Sequence, residues 1–167
     1  LVEDRMIDAA AAEQLKKDRR YYRGHQHPLV LVADQKWKSA APPHKLLALE
    51  ALTEWLAVRV GMGYLHIDPL KIDFSAVTEV MSSAYAERFK ILPVGVTSRE
   101  ATIATAEPWI RGWEESLKQV LRLEIKRVIA NPVDIQGYIV EFFNLARSVK
   151  GATEKDKGAY SAIANFE

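Results

Sequence analysis

The chain has 167 residues and a mass of 18.8 kDa, which is room for one domain, or for one domain with a small helical appendage. A hydrophobic share of 49% beside 27% charged residues is ordinary globular composition. The formal net charge of +1 excludes a strong field that would steer nucleic acid or an anionic membrane toward it. Cysteine is absent, which excludes disulfides and thiolate chemistry and suits a cytosolic protein. No uninterrupted apolar run reaches the ~18–20 residues of a bilayer-spanning helix, and the amphipathic, acidic opening is not a secretory signal. The chain opens at Leu1 rather than at methionine and stops at Phe166-Glu167, so it is expected to be a piece of a longer protein.

From Glu3 to about Arg20, the residues Met6, Ile7, Ala10, Ala11 and Leu15 recur at helical spacing in an alanine-rich stretch, predicting a first helix. The basic run Lys16-Lys17-Asp18-Arg19-Arg20, continued by Tyr21-Tyr22-Arg23, reads as its solvated C-terminal end, favoured by the helix dipole. Gly24 and Pro28 interrupt it. Pro28 to Val32 is a short apolar run, read as a strand or the start of a buried turn, and Lys36 to His44, with Pro42-Pro43, as an irregular connector. Leu46 to Val60 predicts a helix in which Leu49, Leu52, Leu56 and Val60 share a face, with Gly61 suited to a left-handed cap. A short apolar, strand-like piece follows before the next helix opens at Phe74.

Asp73 or Ser75 is placed to cap a helix running to about Arg88. Ile91–Val96 and Ala101–Ala106 read as strands joined in a hairpin through Thr97 to Glu100, and Pro93 puts the first at a sheet edge or a bulge. Pro108 opens a helix to about Leu121, and Glu124 to Ala130 is a third strand. Asn131-Pro132 then caps a last helix that buries Ile135, Tyr138, Ile139, Phe142 and Ala146. A strand–helix–strand crossover makes the second and third strands parallel. The expected fold is α+β: a helical N-terminal subdomain over residues 1–60, then a small three-stranded mixed sheet packed with helices, in the order α-β-β-α-β-α, over 61–149. The polar run from Lys150 to Gly158 makes residues 150–167 a linker toward a further domain.

Chemistry-bearing residues are sparse. His25, His27, His44 and His66 lack the spacing and cysteine company of a structural zinc site, so no metal is expected. Asp68, Asp73 and Glu107 resemble paired carboxylates only at first sight. Asp68 and Glu107 each precede a proline, where a carboxylate accepts backbone N–H groups in a turn or cap. No serine or histidine stands where a nucleophile and its base would, so no catalytic residue is assigned. Trp109 and Trp113 lie four apart around Arg111, one placed to pack on the sheet and the other near its rim. Tryptophan with arginine is what partner interfaces enrich. The stripe of Met6, Ile7 and Leu15 is the second candidate docking surface, unless it packs within the chain.

Leu49 to Phe143 carries an ordered set of short motifs. They are Leu52, Leu56, Ala57 and Gly61 on one helix; Ile67-Asp68-Pro69-Leu70-Lys71-Ile72-Asp73; Leu92-Pro93 to Val96; Thr102 to Glu107-Pro108; and Ala130-Asn131-Pro132 with Ile135 and Ile139. In that order and spacing the chain resembles the N-terminal domain of the traffic ATPases of type II secretion and type IV pilus assembly. Asp68, Pro69, Leu70, Pro93, Pro108 and Pro132 match its structural motif positions. The resemblance implies a non-catalytic docking module that tethers a motor to the cytoplasmic domain of an inner-membrane secretion protein, with downstream domains of the same ATPase as its other partner. It implies a cytoplasmic place, peripheral at the bacterial inner membrane through that partner. ATP and magnesium are implied only for the parent protein, because no Gly-x-x-x-x-Gly-Lys-[Ser/Thr] occurs here. The alternative is a cyclic di-GMP sensor, as in some members. Those use repeated Arg-Leu-Gly segments, whereas this chain offers His44-Lys45-Leu46-Leu47, Pro42-Pro43 in place of glycine turns, and Arg59 where a closing glutamine would fall.

Overall fold

A computed structural model describes the backbone of residues 1–18 and 26–163, with side chains to residue 152. A four-stranded mixed sheet in the order β1-β4-β3-β2 forms its middle: β1 (Gly63–Tyr64), β2 (Ile91–Val96), β3 (Glu100–Thr105) and β4 (Glu124–Ile129). Helices α1 (Ala9–Lys17), α2 (Pro28–Asp34) and α3 (Leu49–Val60) precede it. The others are α4 (Phe74–Val77), α5 (Ser83–Phe89), α6 (Glu114–Leu121) and α7 (Pro132–Ile163). The fold is α+β.

The three expected strands are present, with β2 antiparallel and β4 parallel to β3. Pro93 sits where its missing N–H does least harm: on the edge strand, beside a register shift between Pro93 and Gly95. The sheet gains a fourth member because the strand-like piece after Gly61 pairs parallel with β4, Gly63 opposite Val128 and Tyr64 opposite Ile129. The Leu65 N–H continues the ladder to the Ile129 carbonyl at 2.8 Å. Two residues are too few for an alternation pattern, so the pairing fixes the bounds and the partner of this strand-like piece.

Capping chemistry redraws several helix boundaries. Asp8 accepts from the N–H groups of Ala10 at 2.8 Å and Ala11 at 3.3 Å, which starts α1 at Ala9 and leaves residues 1–7 as a folded arm rather than the first helical turns. Lys16 and Lys17 form its last turn; the rest of that basic run, from Arg19 on, and His25 lie outside the described residues. Pro28 to Val32 is helix, not strand, since proline at the first position and His27 as cap start α2. The Lys36–His44 connector is closed by a bridge between Lys38 and Leu46, with the Leu47 N–H on the Trp37 carbonyl at 2.8 Å.

The helix expected from Asp73 to Arg88 is two. Asp73 caps α4 through Ala76 N–H at 3.1 Å, but Ser82 caps a new start through Tyr85 N–H at 3.2 Å. The break swings Val80 and Met81 into the core, both buried. Likewise Pro108 opens a hydrogen-bonded turn, and α6 begins only at Glu114. Asn131 and Pro132 start α7 as expected, Asn131 Oδ1 accepting from Val133 N–H at 2.9 Å. The helical backbone continues to Ile163, so the run read as a linker from Lys150 is helical over that length.

Two clusters of buried residues flank the sheet. One holds Ile91, Leu92, Ile103, Val128, Ile135, Ile139 and Phe142; the other holds Ile7, Leu29, Val32, Leu52, Leu56 and Ile129. Successive side chains of a strand point to opposite faces, so neighbours Val128 and Ile129 put β4 into both. Gly61 ends α3 at φ 66°, with the Met62 N–H reaching back to the Ala57 carbonyl at 3.0 Å. Gly61→Ala is expected to cost about 1 kcal/mol through backbone strain, although nothing would touch its Cβ. Gly137→Ala, within α7 and equally open, should stabilise by about 0.5–1 kcal/mol. Chemical denaturation of both variants measures the opposite signs.

Candidate functional site

The residues singled out as docking candidates separate sharply. Ile7 is buried, and Met6 and Leu15 pack against the same cluster as Leu29 and Val32. The N-terminal stripe is thus spent inside the chain. The arm before it is pinned to α3: Asp4 accepts from the Trp55 indole at 2.7 Å, and Arg59 pairs with Glu3 at 2.5 Å and Asp4 at 3.4 Å. Between α1 and α2 an apolar groove of about 320 Å³ remains, lined by Ala12, Leu15, Pro28 and Leu31 among others.

Trp113 is also no surface residue. It is 1% exposed, its indole N–H donates to the Ile110 carbonyl at 3.0 Å, and it belongs to the main core. Trp109 stands opposite in character, 72% exposed, with Ile110 beside it at 49%. One tryptophan packs on the sheet and the other stands clear of it.

The turn that carries Trp109 is held from several sides. Thr105 Oγ1 accepts the Glu107 N–H at 3.0 Å, and the Ile110 N–H donates to the Glu107 carbonyl at 3.0 Å. Arg127, on β4, donates to the Pro108 carbonyl at 2.9 Å and pairs with Glu114 at 3.3 Å. Arg111 grips the same carboxylate with two N–H groups, at 2.9 and 3.2 Å. Arg111 therefore braces the turn with Glu114, a group that sequence spacing alone did not single out, and Arg127 arrives from a different strand. An aromatic side chain held on a preorganised turn loses little entropy when a partner covers it.

The motif carboxylates divide. Asp68 accepts from the Leu70 N–H at 3.1 Å and caps a short 3-10 turn over Pro69–Lys71, as its place before proline predicts. Leu70 is 94% exposed, so it contributes nothing to the core. Glu107 does not cap; its carboxylate lies 3.7 Å from His27 Nε2. His27 Nε2 donates to the Ala106 carbonyl at 2.9 Å while Nδ1 accepts from the Leu29 N–H at 3.2 Å, which requires the neutral ring. His44 bonds the Ser39 carbonyl at 2.9 Å on the connector. His66 instead meets Glu50 at 3.1 Å.

With this geometry in place, comparison with known proteins gives the family. Residues 60–149 match the MshEN domain, and the chain belongs to that family. Over 143 residues it is 36% identical to the type IV pilus assembly ATPase TfpB of Acinetobacter baylyi, covering 82% of this chain and 24% of that protein. The chain thus spans about a quarter of the length of that curated relative. Its fold is similar to that of MshE, solved with cdg, at a TM-score of 0.58 and 18% identity over 85% of this chain and 94% of that one. The N-terminal domain of XpsE aligns at a TM-score of 0.45 and 16% identity, over 82% and 92% of the two chains.

Trp113→Ala should cost about 3–5 kcal/mol in denaturant unfolding, whereas Trp109→Ala should stay within about 0.5 kcal/mol. The half-buried His27 and the exposed His66 should also separate on titration. Burial chiefly lowers His27 from the ordinary 6.5, against the opposing pull of Ala106 and Glu107, while the Glu50 hydrogen bond raises His66. Below 6.5 the unfolded chain therefore takes up a proton at His27 before the folded one, and stability drains as pH falls toward the depressed folded value. For His66 the sign reverses: its contribution is full below 6.5 and is lost as pH rises through the raised value. NMR titration of the imidazole C–H signals should place the His66 midpoint above 6.5 and that of His27 below it.

Proposed function

We propose that this MshEN domain is the non-catalytic N-terminal docking and regulatory module of a type IV pilus or type II secretion ATPase, and that it tethers the motor to the cytoplasmic part of an inner-membrane assembly protein. The observation that carries the reading is Trp109 with Ile110, an exposed apolar anchor on a turn braced by Arg111, Glu114 and Arg127, in a domain related to a pilus assembly ATPase. Exposed tryptophan beside arginine is what binding hot spots are made of. ATP hydrolysis and its magnesium belong, on this reading, to the parent protein, and attachment at the inner membrane comes through the partner. No helix among the described residues is long and apolar enough to cross a membrane itself.

A second reading, sensing of cyclic di-GMP, draws on the likeness to MshE, solved with cdg. Against it stands Arg59, at the position of the family's closing glutamine, already paired with Glu3 and Asp4.

The test is calorimetric titration of the chain with the cytoplasmic domain of the cognate inner-membrane assembly protein, and separately with cyclic di-GMP. Binding of the protein partner, weakened about 30-fold (~2 kcal/mol) by Trp109→Ala, is the expected result. A partner that binds equally well without Trp109 moves the docking face elsewhere. Heat with the dinucleotide alone replaces docking by sensing.

A further inference from the structure

Glu50, His66 and Asp134 are distant in sequence and adjacent in space. Glu50 lies in the first turn of α3, Asp134 in the first turn of α7, and His66 just beyond β1. Parallel pairing of β1 with β4 brings the exits of both strands to one end of the sheet, so His66 emerges beside the start of α7. One ligating atom from each residue lies within 4.8 Å of the other two. His66 Nδ1 is 3.1 Å from Glu50 Oε1, and the other Glu50 oxygen accepts from Asn131 Nδ2 at 3.0 Å. We propose that Glu50, His66 and Asp134 form a binding site for a first-row divalent metal ion, Zn²⁺ in particular, which joins α3 to α7 across the end of the sheet.

Four features support the assignment. First, one imidazole nitrogen and two carboxylate oxygens are a donor set for zinc or its neighbours, whereas magnesium and calcium sites are built from oxygen alone. Second, two ligand atoms on a tetrahedral zinc with bonds of ~2.0–2.1 Å stand about 3.4 Å apart, close to the 3.1 Å already separating His66 and Glu50. Third, among the described residues neither carboxylate pairs with a lysine or arginine, and the Asp134 carboxylate accepts no hydrogen bond; Asn131 takes the helix N–H groups of Val133 and Asp134 instead. Fourth, the His66 side chain is 70% exposed and that of Glu50 37%, so an ion reaches the site and a water can complete its coordination. The Asn131 bond orients Glu50 in the way outer groups orient ligands in built metal sites. Coordination through Nδ1 replaces the hydrogen bond to Glu50: the Nδ1 proton of a neutral ring moves to Nε2, and a charged ring releases one proton to solvent.

The test uses the full chain, free of any histidine tag, titrated calorimetrically with zinc chloride at neutral pH in a non-chelating buffer. One equivalent is expected to bind and to raise the unfolding midpoint, reversibly with EDTA. His66→Gln and Asp134→Asn, both polar replacements outside the core, should each weaken binding at least about tenfold. His27 and His44 remain in both variants, so binding unchanged in them would place the ion elsewhere and overturn the proposal. So would absence of binding by the unaltered chain.

Discussion

Strand β4 is the constraint on which the rest of the structure depends. It is one of two inner strands, with β3, and the one whose pairings on both sides, to β1 and β3, are parallel. Parallel neighbours cannot be joined by tight hairpins, so β3 reaches β4 through α6, and β4 is buried at its end, at Val128 and Ile129. The alternation of β4 then sends Val128 into one hydrophobic cluster and Ile129 into the other. A shift of register by one residue would exchange those two side chains and damage both clusters together.

The same strand positions what the surface offers. Arg127 reaches from β4 to the Pro108 carbonyl and to Glu114, so the turn bearing Trp109 is tied to the sheet rather than left as a free loop. The end of β4 delivers Asn131 and the start of α7 beside the residues that leave β1, which assembles the group of Glu50, His66 and Asp134. An exposed tryptophan on a braced turn and a polar cluster thus descend from one pairing pattern, although they lie on segments remote in sequence. The half-buried His27, bonded to Ala106 just past β3, similarly fastens α2 to the sheet and joins the helical front of the chain to its mixed core.

The family relationship and the physical reading meet at the short motifs between Leu49 and Phe143. Most are turn and cap chemistry: Gly61 in the left-handed region, Asp68 and Asp73 as caps, Pro93 at the edge-strand bulge, Asn131-Pro132 at the start of α7. Leu70 departs from that pattern, since a leucine at 94% exposure stabilises nothing within the chain. Arg59 departs too: its guanidinium is engaged by the acidic arm, a contact between residues more than fifty positions apart.

Local rules determined much from the sequence alone. Helical periodicity located α3 and the buried face of α7. Proline and glycine chemistry placed the β2 edge, the α3 cap and the start of α7, and two strands with a hairpin between them followed from alternation and turn residues. These signals act over a few residues and survive in any context. Tertiary structure decided the rest, because the deciding energies lie between distant segments. Whether Pro28–Val32 became helix or strand turned on the His27 cap and on burial of Leu29 and Val32. The two-residue β1 exists only through its partner strand. Which tryptophan faces solvent, and that Glu50, His66 and Asp134 meet at all, depended on how β4 aligns chain segments whose separations of sixteen and sixty-eight residues carry no periodic signal.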